Sequence, residues 1–186
     1  GAGLLAVWAL TRTLDGPALR RRLALPVEVV AVSALVGLYL LLKTNGLRYS
    51  STDEGLYFYA AKLWADGKQP YRDFFFSHPP LHIALPALAY KLGGYHFLIG
   101  KWLSALAALG GALAGWRMAR RHLGVWQGVL ALGLTLMAGE VLQASTNLTG
   151  INLTTCWLMW GLWAVSGQRF LLGGVLLGAA ASTGFY

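Results

Sequence analysis

The sequence predicts an all-α, polytopic membrane protein, and three observations predict it. Of the 186 residues, 56% are hydrophobic and only 12% are charged, whereas soluble domains carry about a quarter charged residues. The mean hydropathy is +0.55. The apolar residues gather in runs approaching the roughly 20 that a helix needs to cross hydrocarbon, and basic residues stand at the ends of those runs. So little charge cannot cover a water-facing surface, so lipid is the expected solvent for much of the chain. The eight Trp suit the headgroup region. The net charge of +8 is not read as a nucleic-acid footprint, because retention on the cytoplasmic side explains positives that flank apolar runs. The lone Cys156 has no metal-ligand spacing and reads as a small buried hydrophobe.

Residues 1–10 are apolar, too short to span, and preceded by no basic region. They read as the tail of a helix and, with Arg20, Arg21 and Arg22, form a segment 1–25 on the cytoplasmic side. Five spans are expected, at 26–42, 97–118, 125–142, 153–165 and 170–181. Arg20 to Arg22 place the start of the first span inside, and Arg117, Arg120, Arg121 and His122 place the end of the second inside. Only one further crossing fits between these clusters, so 79–92 is left without one. At about 14 residues, or about 21 Å of helix, it is short for a span and is expected to lie at the outer interface. Arg169 then falls inside, in agreement. Glu28, at the inner end of the first span, reads as interfacial. Residues 26–186 are expected to be the N-terminal part of a longer transmembrane module whose C-terminal part is missing.

The tract 44–96 is thus one external loop. It holds Asp53, Glu54, Asp66 and Asp73, four of the seven acids, among many aromatics. Within it, 52–65 reads as a helix, with Ser51 or Thr52 as its cap and Asp53 and Glu54 in its first turn, where the dipole favours anions. Leu56, Tyr59, Ala60 and Leu63 share one face. Gly67 ends it and Pro70 blocks continuation, and Pro79 and Pro80 open a second surface helix. Asp53 and Glu54 have two readings: acids that simply start a helix, or carboxylates at the water–lipid boundary able to act as a base or hold a cation.

The run Asp53-Glu54-Gly55-Leu56-Tyr57, then Gly67-Lys68-Gln69-Pro70-Tyr71-Arg72-Asp73, then His78-Pro79-Pro80-Leu81 resembles the GT-C superfamily of integral-membrane glycosyltransferases. It is most similar to the bacterial protein O-mannosyltransferase-like (family-39) and lipid A aminoarabinose transferase-like group. That group carries an acid pair in its first external loop, a G-x-x-P-Y-x-D segment and an [HK]-P-P-[LF] motif. Lys101-Trp102-Leu103-Ser104-Ala105-Leu106 and Ala119-Arg120-Arg121-His122-Leu123-Gly124 resemble its R-x-x-S-A-L and A-R-R-L-F-G segments.

The resemblance implies a GT-C-type bundle in the cell membrane, its site facing the exterior or periplasm. The donor would be a sugar on a polyprenyl phosphate, and the acceptor a lipid, protein or glycan hydroxyl. It implies Asp53 as the base, with inversion at the anomeric carbon, and Glu54 as its helper. His78 and Lys101 would meet the lipid phosphate, and Tyr57 and Tyr59 the substrate. Lys101 stands where that group has Arg, and so lacks the bidentate fork. His78 has an alternative as a capping residue, and Lys101 as a snorkelling one. Glu140, near the outer end of its span, is either a second functional acid or a headgroup-layer residue, and Asn147 and Asn152 stand where acids often do. No cofactor is assigned, and a divalent metal (Mg or Mn) with Asp53 as one of its ligands stays open.

Two other classes remain. A transporter or flippase-like carrier places its polar site at mid-membrane in broken helices, which the gathering of acids in an external loop disfavours. A partner-binding scaffold would tolerate neutralisation of every loop acid.

Overall fold

A computed structural model describes residues 17–47 and 53–184. The expected 1–10 helix tail and the Ser51 or Thr52 cap lie outside the described residues. Among those described, the regular structure is all helical. In order the helices are α1 (Pro17–Gly46), α2 (Glu54–Ala65), α3 (Leu81–Gly93), α4 (Phe97–His122), α5 (Val125–Met137), α6 (Gly139–Ala144), α7 (Ile151–Ser166) and α8 (Phe170–Thr183).

Two helices are long and apolar enough to cross a membrane: the Leu25–Gly46 stretch of α1, with mean hydropathy 2.2, and α4, with 1.6. They differ in surroundings. Half of the apolar window of α4 is buried within the protein, but only 11% of that of α1. Leu25, Val29, Val30, Leu38 and Leu41 of α1 all lie exposed. Such a face is unfavourable in water and at home in hydrocarbon. The other three expected spans are shorter than a bilayer. The 13 residues of α5, 16 of α7 and 14 of α8 rise about 20–24 Å, against about 30 Å of hydrocarbon.

The expected 125–142 span is not one helix. It breaks at Ala138, whose backbone is extended (φ −64°, ψ 129°), into α5 and the short α6. Polar contacts gather past the break, at and just after α6. Lys43 Nζ donates to the Leu142 carbonyl, and the hydroxyls of Ser145 and Thr146 turn back on the carbonyls of Val141 and Gln143. The two surface helices do form. α2 begins at Glu54 rather than 52, with Asp53 in the cap position, and α3 begins at Leu81, just past Pro79 and Pro80.

Helix α4 is the hub. α5 and α7 pack along it, α1 packs on α5, α8 on α7, and the α2–α3 pair sits over the outer end of α4. The approach of α4 to α7 is close at Gly111, where a Cβ would stand 3.5 Å from the Cα of Cys156. A Cβ at Gly173 would come within 3.3 Å of the Gly161 carbonyl. Removing the side chain lets backbones meet this way. Gly174 and Gly178 face open space. One apolar core lies within the bundle (Tyr39, Leu109, Ala112, Leu132, Leu136), and another lies under the surface helices (Phe58, Ala61, Phe76, Ile83, Tyr90, Leu148).

Polar contacts fix which ends lie together. Glu28, near the start of α1, is buried against Arg120 at the end of α4 (2.5 Å), which corrects its reading as merely interfacial. Tyr39 donates to the Ala105 carbonyl at 2.9 Å. α1 and α4 are therefore antiparallel. One end gathers Arg117, Arg120, Arg121, His122 and Arg169. The other gathers Asp53, Glu54, Asp66, Asp73 and Glu140. This separation matches retention of the basic end in the cytoplasm. In a Cys156→Ser background, a membrane-impermeant thiol reagent added to intact cells should label a cysteine at Lys68 and spare one at Arg169. The reverse pattern overturns the orientation.

Candidate functional site

The site is anchored by a buried ion pair. Glu54 opens α2 with its side chain 0% exposed, and its Oε2 accepts from Lys101 Nζ at 2.9 Å. Lys101, 1% exposed, also donates to the Thr146 carbonyl at 3.2 Å, and Glu54 Oε1 accepts the Leu148 N–H at 2.8 Å. Two charges out of water are tolerated only with this degree of hydrogen bonding. Ser104 lies one turn after Lys101, on the same face. Its hydroxyl donates to the Asn147 carbonyl (2.5 Å) and accepts from Asn152 Nδ2 (2.7 Å). The Lys101-x-x-Ser104 pattern therefore holds the second outer loop, 145–150, against the first. Lys101 is thus the partner of Glu54, and it neither snorkels to the interface nor stands as an accessible cation.

Asp53 is the opposite case. It is exposed, makes no capping hydrogen bond, and pairs with no cation among the described residues. One turn on, the Tyr57 hydroxyl lies 3.1 Å from His78 Nε2. Burial first, and then the nearby Asp53 charge, push the Tyr57 hydroxyl pKa up.

The Gly67 to Asp73 segment positions His78. Gly67 (φ 93°) takes the left-handed turn after α2. Asp73 accepts from the Gln69 N–H at 2.8 Å and pairs with Arg72 at 3.0 Å, and these contacts hold its carboxyl down at about 2. Tyr71, with a left-handed φ of 67°, returns its hydroxyl to the His78 carbonyl at 2.5 Å. A bulky residue in that conformation is strained and persists only where its surroundings hold it. The motif letters Pro70-Tyr71-x-Asp73 thus encode a closed loop that fixes the histidine.

Between α2 and this loop lies a cavity of about 280 Å³, lined by Tyr57, Tyr59, Phe74, Phe75, Phe76 and His78 among others. Three predicted substrate residues, Tyr57, Tyr59 and His78, therefore share one hollow. Asp53 does not line it but stands one helical turn away. Glu140 is elsewhere. It is exposed and lines a separate apolar cavity of about 330 Å³ between α4, α5, α6 and α7, with Asn152 and Thr155. Asn147 and Asn152 serve the Ser104 network instead of replacing an acid. Among the described residues no three His, Cys, Asp or Glu side chains converge.

With this geometry in place, the chain was compared with known proteins. No family model, curated protein or solved structure matches it.

One residue escaped the sequence reading. His82 is fully buried in α3, with its ring 4.8 Å from that of His78 and 4.5 Å from that of Tyr57. Among the described residues neither ring nitrogen has a hydrogen-bond partner, although the Thr183 backbone lies close enough to favour its proton slightly. Gly150 (φ 70°) packs on the ring, where a Cβ would come within 2.4 Å. Nothing in the pattern His82-Ile83-Ala84 signals this, because the burial comes from the distant second loop.

Two expectations follow. Glu54→Gln and Lys101→Met should each cost about 3–5 kcal/mol in detergent-solubilised unfolding, because each leaves a buried charge alone. The Glu54→Gln/Lys101→Met double variant should recover much of that loss, and strict additivity would show that the two do not interact. The second concerns His82. Burial first, then the His78 charge, lowers its pKa from 6.5 to about 4. Between those values the unfolded chain takes up a proton and the folded one does not. Stability present above pH 6.5 is therefore lost as pH falls toward 4, by on the order of 3 kcal/mol. Unfolding midpoints from pH 7.5 to 4 should fall, and His82→Leu should flatten that dependence whatever its baseline. An unchanged slope in that variant removes His82 as the cause.

Proposed function

We propose that this chain is the membrane-embedded, multi-span part of a GT-C-type glycosyltransferase of the cell membrane. It transfers a sugar from a polyprenyl-phosphate-linked donor to an acceptor hydroxyl on the extracytoplasmic side. The carrying observation is the unequal treatment of the two adjacent acids. Glu54 is locked to Lys101 and Leu148, while Asp53 is exposed and, among the described residues, pairs with no cation, one helical turn from an aromatic cavity that contains a histidine. Two acids that merely favoured a helix start would have no reason to differ so completely.

In this reading Asp53 takes the proton of the acceptor hydroxyl. The freed oxygen forms a bond to the anomeric carbon from the face opposite the phosphate. The anomeric C–O bond breaks with its electron pair going to the phosphate, and the configuration inverts. A carboxylate in water-accessible surroundings suits a base that acts on a positioned hydroxyl. His78 donates to the phosphate as its charge grows, held in place by Tyr57 and the Tyr71 loop. Tyr57, Tyr59 and Phe75 offer ring faces to the sugar. Lys101 acts through Glu54 as a positioning residue. The lipid chain stays in the bilayer, alongside the apolar surface of the helices. No step is routed through a metal.

The test is Asp53→Asn in native membranes supplied with a polyprenyl-phosphate-linked sugar. Loss of general-base assistance should cut transfer by about 100-fold or more, while α2 stays folded, because Glu54 and not Asp53 pins it. Transfer at the wild-type rate would end the proposal.

A further inference from the structure

The basic end of the bundle holds a second kind of cavity, remote from the acids. It measures about 380 Å³ and is lined by Trp116, Arg117, Arg120, Arg121 and Trp163. The final turns of α4 and α7 build it. Arg117 lies 5.7 Å from the Trp160 ring centre and 5.9 Å from that of Trp163. Arg169, from the turn between α7 and α8, lies 5.5 Å from the same Trp163 ring. The Arg121 guanidinium sits over Gly167, where a Cβ would come within 2.7 Å of its Nη1.

Four guanidiniums therefore converge, and one of them is neutralised. Arg120 pairs with Glu28, but among the described residues no acid pairs with Arg117, Arg121 or Arg169. Like charges held together on two rigid helices repel, and an anion between them relieves that repulsion. Guanidinium forks match phosphate oxygens. The surface next to this cluster is apolar, since Leu162, Phe170 and Leu171 are exposed, Leu171 by 86%. Guanidiniums beside exposed aliphatic and aromatic side chains complement an amphiphile better than a free ion.

We propose that this cavity binds the phosphate headgroup of an anionic phospholipid in the leaflet at the basic end, with the acyl chains along α7 and α8. Trp163, flanked by Arg117 and Arg169, forms the floor of the site. Basic pockets between helices on the cytoplasmic side are suited to such headgroups. The proposal does not depend on sugar transfer.

The test uses the full chain in neutral detergent, examined by native mass spectrometry during titration with phosphatidylglycerol, phosphatidylcholine or inorganic phosphate. Wild-type protein should retain phosphatidylglycerol saturably, with an affinity about tenfold or more above that for phosphatidylcholine. Arg117→Gln/Arg121→Gln should abolish that preference while keeping the helical circular dichroism of the wild type. Arg120 is left intact because Glu28 needs it. A Trp163→Phe variant, which keeps every charge, should weaken retention without reversing the preference. Equal retention of phosphatidylglycerol by wild type and the double variant would overturn the site. Inorganic phosphate binding as tightly as the lipid would overturn its assignment to a headgroup.

Discussion

The end of the protein that carries the acids depends on one buried carboxylate. Glu54 joins three pieces of chain that are far apart in sequence: the start of α2, Lys101 on α4, and the Leu148 N–H of the second loop. A carboxylate with no water has to be satisfied from every side, so its partners cannot shift independently. The surface helices are thereby fixed over the end of α4. The aromatic cavity between α2 and the Phe74 to His78 strip inherits that rigidity, as does the placement of Asp53 beside it.

Around this anchor, side chains divide into those that hold backbone and those left available. Lys101, Ser104, Asn152, Tyr71 and Asp73 all place their polar atoms on backbone or on one another. Asp53, Tyr59 and one face of His78 do not. A site built this way spends most of its polar groups on geometry and leaves few for a ligand, as preorganised sites do. The separation of charge has a parallel logic at the other end. Glu28 neutralises Arg120 and ties α1 to α4, and Arg117 and Arg121 are left facing a cavity.

Much of this was legible beforehand. The first long helix, the hub helix, and the two surface helices with their Gly67 and Pro70 stop follow from apolar period and breakers, which act locally. The charge asymmetry between the two ends was also legible, because it needs only the order of the basic clusters along the chain. Residues 125–142 were not, because their helix breaks at Ala138, whose extended backbone separates α5 from α6 within one apolar run. The helix ends were less legible: α7 and α8 run to 16 and 14 residues, a little past their apolar runs, while α5 stops at 13.

At the site, the sequence by itself determined which residues gather in the outer loops: Asp53, Glu54, Tyr57, Tyr59 and His78 lie within a few turns of one another along a short stretch of chain. It could not separate the roles of two adjacent acids, nor reveal that Lys101 is consumed by one of them. It gave no sign of His82 or of the arginine and tryptophan cavity. Those outcomes belong to the tertiary structure alone, because burial is a property of contacts between distant segments. A charge becomes an anchor or an available group according to whether another part of the chain excludes water from it.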